Sequence, residues 1–412
     1  MENPAEIPEF YVGSPVDAED LRYREEFIKD LWEAIEAQHV LLTAPRRTGK
    51  TSVMDHLRAH PPETYAVIYE NVQDLSHPAD FFSSLLSRFY DEHPDFFRDT
   101  LGKTWDLVET ALGKIKEVGL SEFKVALRES DLDWRKNWKQ HGATFFEKVR
   151  HEAAPILLII DELPDMLLNM RADDADLLQE FLAWFRTQRQ DPKPKHDTIR
   201  WLVGGSVNLS GTLDSMGMVD LINDFDDIPL PVLTNDDVTD FVTSMLIERG
   251  VELDEEVPSK VIELLGRPIP LFMQIVTQEL FRSWKKNKEK ITAKDVDSTF
   301  SELVKSTAAR DKLQHYYTRL ERYYQEPKLS AAHELLSKLS LSEAGFSRSR
   351  LLQEFERILD AEGSKLPAHA RKQQFNQLLR DLENDFYVAE ISEDHFDFAS
   401  GILKAWWKKY YA

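Results

Sequence analysis

One short segment of the chain has the residue types and the spacing of a phosphate-binding loop. It reads APRRTGKT over residues 44–51 and matches the pattern G-x-x-x-x-G-K-[ST], except that Ala44 replaces the first glycine. In such a loop, backbone N–H groups and the N-terminus of the following helix surround a chain of phosphates. We expect Lys50 to neutralise the β- and γ-phosphates of ATP and the Thr51 hydroxyl to coordinate Mg²⁺.

The whole loop is expected to contact the nucleotide, through residues Ala44, Pro45, Arg46, Arg47, Thr48, Gly49, Lys50, Thr51 and Ser52. Ala44 fits this role only if its backbone does not require a positive φ angle, because alanine tolerates that conformation poorly. The alternative interpretation is an ordinary basic turn between a strand and a helix.

Two acidic residues follow a strongly apolar run further along the chain. Asp161 and Glu162 come directly after residues 156–160, which read ILLII. We expect Asp161 to hold Mg²⁺ through water, and Glu162 to orient or deprotonate the water that attacks the γ-phosphate. The alternative is that both acids only cap the following helix, since acidic side chains favour helix N-termini.

A further polar position closes another apolar run. Residues 199–203 (IRWLV) are followed by two glycines and Ser206. We expect the Ser206 side chain to contact the γ-phosphate and to take part in catalysis, with Asn208 as a competitor for this role. The alternative is a Gly-Gly-Ser turn without any chemical role.

Alternating strands and helices must position these residues. Apolar runs predict strands at 39–44, 65–72, 156–160 and 199–203, and helical spacing predicts helices at 24–38, 51–60 and 173–189. Strands that alternate with helices indicate βαβ units and a parallel sheet. The predicted fold class is therefore an α/β P-loop NTPase core.

The pattern after Pro231 is mainly helical. Thr234 with an acidic first turn predicts a helix that Gly250 ends, and Thr292 predicts another helix start. Two short β segments near the C-terminus, 385–391 and 395–398, follow several helices as they do in a winged helix. The predicted domains are a P-loop core at 1–233 with a helical insert at about 78–150, a helical lid at 234–305, and a winged-helix-like domain at 306–412.

Composition limits the possible partners and compartments. The chain has 412 residues, no cysteine and a net charge of −22. It begins without a secretory signal and has no apolar run long enough to span a bilayer, so we expect a cytoplasmic protein with no membrane partner. An acidic surface repels nucleic-acid phosphates. Any DNA contact would have to be local, through residues such as Arg348, Arg350, Arg371 and Lys372.

Four segments together resemble prokaryotic ATPases of the AAA+-related archaeal-ATPase and STAND group. They read APRRTGKTS, ILLIIDELPDML, IRWLVGGSVNL and GRPIPLFMQIV, and a C-terminal WWKKYY after a Phe-rich hairpin resembles the winged helix of the same group. The resemblance implies that Arg24, in the Tyr23-Arg24-Glu25 segment, lies beside the nucleotide base. It also implies that the Gly266-Arg267-Pro268 segment packs on the adenine and ribose.

The resemblance leaves the roles of several arginines open. Arg267 can instead act as a sensor that reaches the γ-phosphate, or it can be a surface residue at a helix end. Arg186, Arg189 and Arg200 lie where this group places an arginine finger for a neighbouring site, although a solvated surface position is the main alternative for each.

The expected function is an ATP-driven switch that couples nucleotide state to domain arrangement and to a protein partner or self-association. One alternative is a DNA-acting ATPase, such as a loader or an initiator-like protein, that uses its winged helix. Another is a nucleotide-stabilised scaffold without hydrolysis, and a third is a sensor in a defence or stress module. The insert at 78–150 either binds a partner or elaborates the core.

Overall fold

The computed structural model describes residues 9–92, 135–150, 155–190, 198–205, 213 and 217–412. Contacts divide the chain into two units, each described by itself below. The sheet unit comprises Asp17–Ala44 and Lys50–Leu230. The helical unit comprises Met1–Val16, Pro45–Gly49 and Pro231–Ala412. The domain boundaries predicted at 233/234 and 305/306 stay predictions.

Five parallel strands form the centre of the sheet unit. They are β1 (Val40–Thr43), β2 (Ala66–Asn71), β3 (Ile156–Asp161), β4 (Ile199–Gly205) and β5 (Asp226–Pro229), in the spatial order β2-β3-β4-β1-β5. The parallel sheet and its first four strands confirm the prediction. The fifth strand was not predicted, because its sequence DDIP is too polar and too short to resemble a buried strand.

Six α-helices of the described residues cover both faces of this sheet. They are α1 (Glu25–Ala37), α2 (Lys50–Ala59), α3 (Pro78–Glu92), α4 (Trp138–Val149), α5 (Leu163–Asp173) and α6 (Ala175–Gln190). Alternate residues of β3 point to opposite faces of the sheet. Leu157 and Ile159 join one apolar cluster with α1 and α2, whereas Leu158 and Ile160 join another with α3 to α6. Burial on both faces explains why the strand sequences are almost wholly apolar.

The helix predicted at 173–189 is wrong at its start, because two helices meet there. Asp174 adopts an extended conformation after α5, and its carboxylate accepts the backbone N–H groups of Asp176 and Leu177 at 3.0 Å each. A short acidic side chain that caps the next helix in this way ends the preceding one.

The two described ends of the predicted insert at 78–150 belong to the core. Phe81, Phe82 and Phe89 of α3 are buried, as are Phe145 and Phe146 of α4. Residues 93–134, where a partner-binding role was considered, lie outside the described residues.

The helical unit begins with four helices: α7 (Asn235–Ile247), α8 (Val257–Leu265), α9 (Pro270–Asn287) and α10 (Ala293–Lys305). Thr234 caps α7 through a reciprocal pair of hydrogen bonds with Asp237. Before α10, the backbone N–H and the hydroxyl of Thr292 both donate to Asp295 Oδ2, at 2.8 and 2.7 Å. Both helix starts were predicted from these residue types. Among the described helices, none has the length and apolar character needed to cross a bilayer.

The remainder of the helical unit combines helices with a small antiparallel sheet. Its elements are α11 (Thr307–Tyr323), α12 (Lys328–Leu341), β6 (Phe346–Ser347), α13 (Arg348–Ala361), α14 (Ala368–Asn384), β7 (Val388–Ser392), β8 (His395–Phe398) and α15 (Gly401–Tyr410). The strands pair in the order β6-β8-β7, so the predicted hairpin is confirmed and β6 adds a third strand. Trp406 and Trp407 are fully buried.

Candidate functional site

The loop between β1 and α2 has the backbone that its sequence predicts. Gly49 adopts a φ angle of 97° and Arg47 a φ angle of 68°, whereas Ala44 is not among the residues with positive φ. Alanine therefore meets the condition set for replacing the first glycine of the pattern. The Thr48 hydroxyl donates to the backbone oxygen of Pro45 at 2.7 Å, which closes the loop on itself.

The helix α2 begins at Lys50, directly after the loop. The Lys50 side chain is only 9% exposed, Ser52 is buried and Thr51 is half-buried. A long cationic side chain is rarely buried to this extent unless it meets an opposite charge. The partner of Lys50 therefore defines the site.

That partner is Asp161 at the end of β3. The Lys50 ammonium donates to Asp161 Oδ1, and the Thr51 hydroxyl donates to Asp161 Oδ2 at 2.7 Å. Burial alone would raise the pKa of the Asp161 carboxyl, but the charge of Lys50 and the hydrogen bonds from Lys50 and Thr51 hold it below its ordinary value. The three residues predicted to serve the phosphates and the metal are thus in direct contact.

Glu162 occupies an unusual backbone position beside this group. Its φ and ψ angles of 60° and 35° are left-handed, and its Oε1 atom lies 3.9 Å from Lys50 Nζ. Glu162 precedes α5, but its side chain makes no capping hydrogen bond. Helix capping therefore does not explain this glutamate, and non-glycine residues in this conformation often mark functional sites.

Gly204 gives the carboxylate and the ammonium the room they need. A methyl group on Gly204 would lie 2.5 Å from Asp161 Oδ1, 2.8 Å from Lys50 Nζ and 2.7 Å from the end of the Met54 side chain. Gly204 lies in β4, next to β3 in the sheet. A glycine is required here by close approach rather than by backbone conformation.

Tyr69 is a neighbour of the site that the sequence analysis missed. Its hydroxyl lies 3.3 Å from Asp161 Oδ2, and burial, together with the charge of Asp161, raises its pKa. The signal in the sequence is weak: a tyrosine within the strand predicted at 65–72. Only the pairing of β2 with β3 brings it to Asp161.

The residues at this edge of the sheet fit a nucleotide with Mg²⁺. A helix N-terminus, a buried ammonium, a hydroxyl and a carboxylate are the groups that such a ligand requires. No group of three or more His, Cys, Asp or Glu side chains within the described residues is arranged to hold a metal ion. A cation held by Thr51 and Asp161 would therefore need oxygen ligands from the nucleotide and water.

The structure describes some, but not all, of the other residues predicted to contact the nucleotide. Arg24 is buried in front of α1. Arg267 lies with its guanidinium 5.1 Å from the centre of the Phe386 ring, and its backbone N–H donates to Ala399 at 2.8 Å; Pro268 is half-buried beside it. Ser206 and Asn208 lie outside the described residues.

The solvated surface position considered for the three arginines near β4 is wrong for Arg189. Its side chain is fully buried and forms two hydrogen bonds of 2.7 Å to the Asp224 carboxylate. Arg186 instead contacts Asn223 at 3.2 Å on the surface, and Arg200 contacts the backbone oxygen of Glu36 at 3.2 Å. Arg189 is therefore a structural residue in this unit.

Several solved structures align with most of this chain. A Walker-type ATPase of Pyrococcus abyssi aligns with 96% of this chain and 97% of its own, with a TM-score of 0.57 and 17% sequence identity. The ORC1 protein of Aeropyrum pernix, solved in complex with DNA, aligns with 95% of this chain and 94% of its own at a TM-score of 0.41 and 12% identity. The ORC2 protein of the same organism, solved in ADPNP and ADP complexes, aligns with 94% of this chain and 95% of its own. Its TM-score is 0.42 and its sequence identity is 14%.

No family model and no curated protein matches the sequence. The similarity to the Pyrococcus ATPase is a similarity of fold, and it agrees with the five-stranded parallel sheet described above. The predicted α/β P-loop NTPase fold class is confirmed.

Proposed function

We propose that this chain binds ATP with Mg²⁺, hydrolyses it, and acts as a nucleotide-driven switch of the AAA+/STAND type. The observation that carries the proposal is the buried contact of Lys50 and Thr51 with Asp161, with Glu162 directly beside it. The resemblance of four sequence segments to that group of ATPases supports the finer assignment.

The ion pair itself argues for a ligand with two opposite charges. Lys50 and Asp161 are both buried, and a buried charge without a partner costs several kcal/mol, on the order of 3–5. Lys50 can leave Asp161 only if an anion receives it and a cation replaces it at the carboxylate. A polyphosphate with a divalent cation provides both charges at once, whereas a simple anion provides only one.

Each residue has a role in this proposal. Lys50 contacts the β- and γ-phosphates, and Thr51 and Asp161 hold the cation, Asp161 through water. When bound, Mg²⁺ supplies Lewis-acid neutralisation of the phosphate charge. Glu162 orients the attacking water and accepts its proton. Ser206 contacts the γ-phosphate, and the remaining proposed nucleotide contacts are Ala44, Pro45, Arg46, Arg47, Thr48, Gly49, Ser52, Arg24, Arg267 and Pro268.

The switch part of the proposal concerns the domains. The proposed core at 1–233, lid at 234–305 and winged-helix-like domain at 306–412 change their arrangement with nucleotide state, which alters contact with a protein partner or with another copy of the chain. The succession of α12, β6, α13, α14, β7 and β8 supports the winged helix. A cytoplasmic location belongs to the same proposal.

The test is a comparison of ATP binding and phosphate release in the wild type and Glu162→Gln. We expect Glu162→Gln to bind ATP as the wild type does and to release phosphate about 10²–10⁴ times more slowly. Glu33→Gln, an exposed position on α1, is the matched control and is expected to change neither quantity. Unchanged turnover in Glu162→Gln would place the base elsewhere. Stabilisation by ATP without any phosphate release from the wild type would favour the scaffold alternative.

DNA binding through the C-terminal region is the second candidate. The exposed residues of α14 include Lys372, Gln373, Gln374 and Arg380, and the first turn of this helix has no acidic residue. Such polar and cationic side chains are suited to a DNA backbone and base edges. The turn between β7 and β8 disfavours DNA binding, because Glu393 and Asp394 lie there and their charges repel the DNA phosphates.

The full chain tests this candidate by electrophoretic mobility of duplex DNA at low salt. Binding that weakens with salt and is lost in Lys372→Glu/Arg380→Glu supports it. No binding at low salt, or equal binding by the double variant, rejects it. Lys294→Glu/Lys305→Glu, which changes two exposed lysines of α10, is the matched control for the change in net charge.

A further inference from the structure

The hydroxyl of Tyr69 is directed to the metal-binding carboxylate of the proposed site by the pairing of two strands. Tyr69 of β2 pairs with Ile159 of β3, and Asn71 pairs with Asp161. Side chains two residues apart on a strand point to the same face of the sheet. Tyr69 pairs with Ile159, two residues before Asp161, so the side chains of Tyr69 and Asp161 lie on the same face. Its hydroxyl reaches forward to Asp161 Oδ2 at 3.3 Å.

The ring that carries this hydroxyl is firmly held. Tyr69 is 9% exposed and belongs to the same apolar cluster as Met54 and Leu57 of α2. Its ring therefore belongs to the same apolar core as the buried apolar side chains of α2. The position of the hydroxyl is therefore set by the core rather than by any ligand.

The partners of Asp161 fall into two classes. An ionised carboxylate accepts about four hydrogen bonds, and Asp161 receives four: Lys50 and the backbone N–H of Glu162 donate to Oδ1, and Thr51 and Tyr69 donate to Oδ2. Lys50 and Thr51 are the residues that the proposed function assigns to the phosphates and the cation. The other two donors, one on each oxygen, have no role toward the nucleotide.

We propose that Tyr69 is a positioning residue that holds the Asp161 carboxylate in orientation for Mg²⁺ once Lys50 and Thr51 have turned to the nucleotide. A phenol suits this task because it donates a hydrogen bond without adding a positive charge that would compete with the cation. Residues that orient a metal-binding carboxylate in this way typically change metal affinity about 10–100-fold when they are removed. The inference rests on the proposed ATP and Mg²⁺ site.

The test separates metal binding from nucleotide binding. ATP affinity of the full chain is measured by calorimetry in EDTA and over a series of MgCl₂ concentrations for the wild type, Tyr69→Phe and Tyr65→Phe. Tyr65 immediately precedes the first residue of β2, at the end of the strand away from Asn71, and serves as the matched control. We expect Tyr69→Phe to bind ATP in EDTA as the wild type does, and to require about tenfold more Mg²⁺ to reach its full affinity.

The other outcomes are decisive as well. A Tyr69→Phe variant with the wild-type Mg²⁺ dependence, or with equal losses in EDTA and in Mg²⁺, overturns the inference and leaves the proposed function intact. A wild type that binds no ATP in either condition overturns the proposed function and the inference with it. If Tyr69→Phe does not fold, Tyr69→Met, which fills the space with a flexible apolar side chain, replaces it in the same comparison.

Discussion

Gly204→Ala is the substitution that probes the spacing of the site most selectively. The added methyl group would lie 2.5 Å from Asp161 Oδ1 and 2.8 Å from Lys50 Nζ, both far inside ordinary contact distance. Met54, the third neighbour at 2.7 Å, can move its flexible end. The carboxylate and the ammonium cannot both retreat without weakening their ion pair. Gly204 has no positive φ, so the effect arises from space alone.

The magnitude follows from these contacts. Overpacking of a well-filled interior costs about 1–3 kcal/mol of the free energy of unfolding. Displacement of Lys50 and Asp161 should weaken ATP binding at least tenfold, which corresponds to about 1.4 kcal/mol. Urea denaturation measures the first quantity, and calorimetry with ATP and MgCl₂ measures the second.

Gly142→Ala is the matched control within the same unit. A methyl group there would lie 2.7 Å from the Phe82 ring and 2.8 Å from the Trp184 ring, away from the site residues. We expect it to destabilise the protein by a similar amount without changing ATP affinity. Equal ATP affinity in Gly204→Ala and the wild type would refute the reasoning, as would equal losses of affinity in the two alanine variants.

Three further predictions concern stability. Burial, with the charge of Arg47 next, lowers the pKa of His315 to about 4, so only the unfolded state takes up this proton between pH 6.5 and 4. The contribution of neutral His315 to the free energy of unfolding is therefore fully present above pH 6.5, and about 3 kcal/mol of it is lost as the pH falls toward 4. His315→Gln should reduce the dependence of the free energy of unfolding on pH in this range, as measured by urea denaturation, and an unchanged dependence would contradict the prediction. Arg189→Met should lower the free energy of unfolding by about 3–5 kcal/mol, because it leaves the Asp224 carboxylate without its partner. A loss within about 0.5 kcal/mol in urea denaturation, which is typical of surface substitutions, would contradict this prediction. Thr234→Ala should cost about 1 kcal/mol by removing the cap of α7, and equal midpoints for variant and wild type would exclude that contribution.

Local signals in the sequence single out residues that the structure brings together. A phosphate-binding pattern between a strand and a helix, and an acidic pair after an apolar run, were enough to identify Lys50, Thr51 and Asp161, and the structure brings these three into contact. Both capped helices after Pro231 were likewise identified from a threonine and an acidic residue three positions later. In each case, the residues that form the sequence signal are close neighbours in the chain, although the contact between Lys50 and Asp161 joins residues 111 positions apart.

The features that escaped prediction depend on distant partners. Arg189 is buried because Asp224 lies opposite it, and Asp224 is 35 positions further along the chain, with no sequence pattern that links the two. Tyr69 acquires its position only through the pairing of β2 with β3. The left-handed conformation of Glu162 is equally unexpected, since this conformation favours glycine or asparagine over glutamate.

The central claim is that Lys50 receives the phosphates of ATP at this edge of the sheet, and calorimetry of ATP binding in MgCl₂ tests it most directly. We expect the wild type and Lys29→Ala, which changes an exposed lysine of α1, to bind with the same affinity. Binding by Lys50→Ala is expected to be lost. Wild-type affinity in Lys50→Ala would contradict the account.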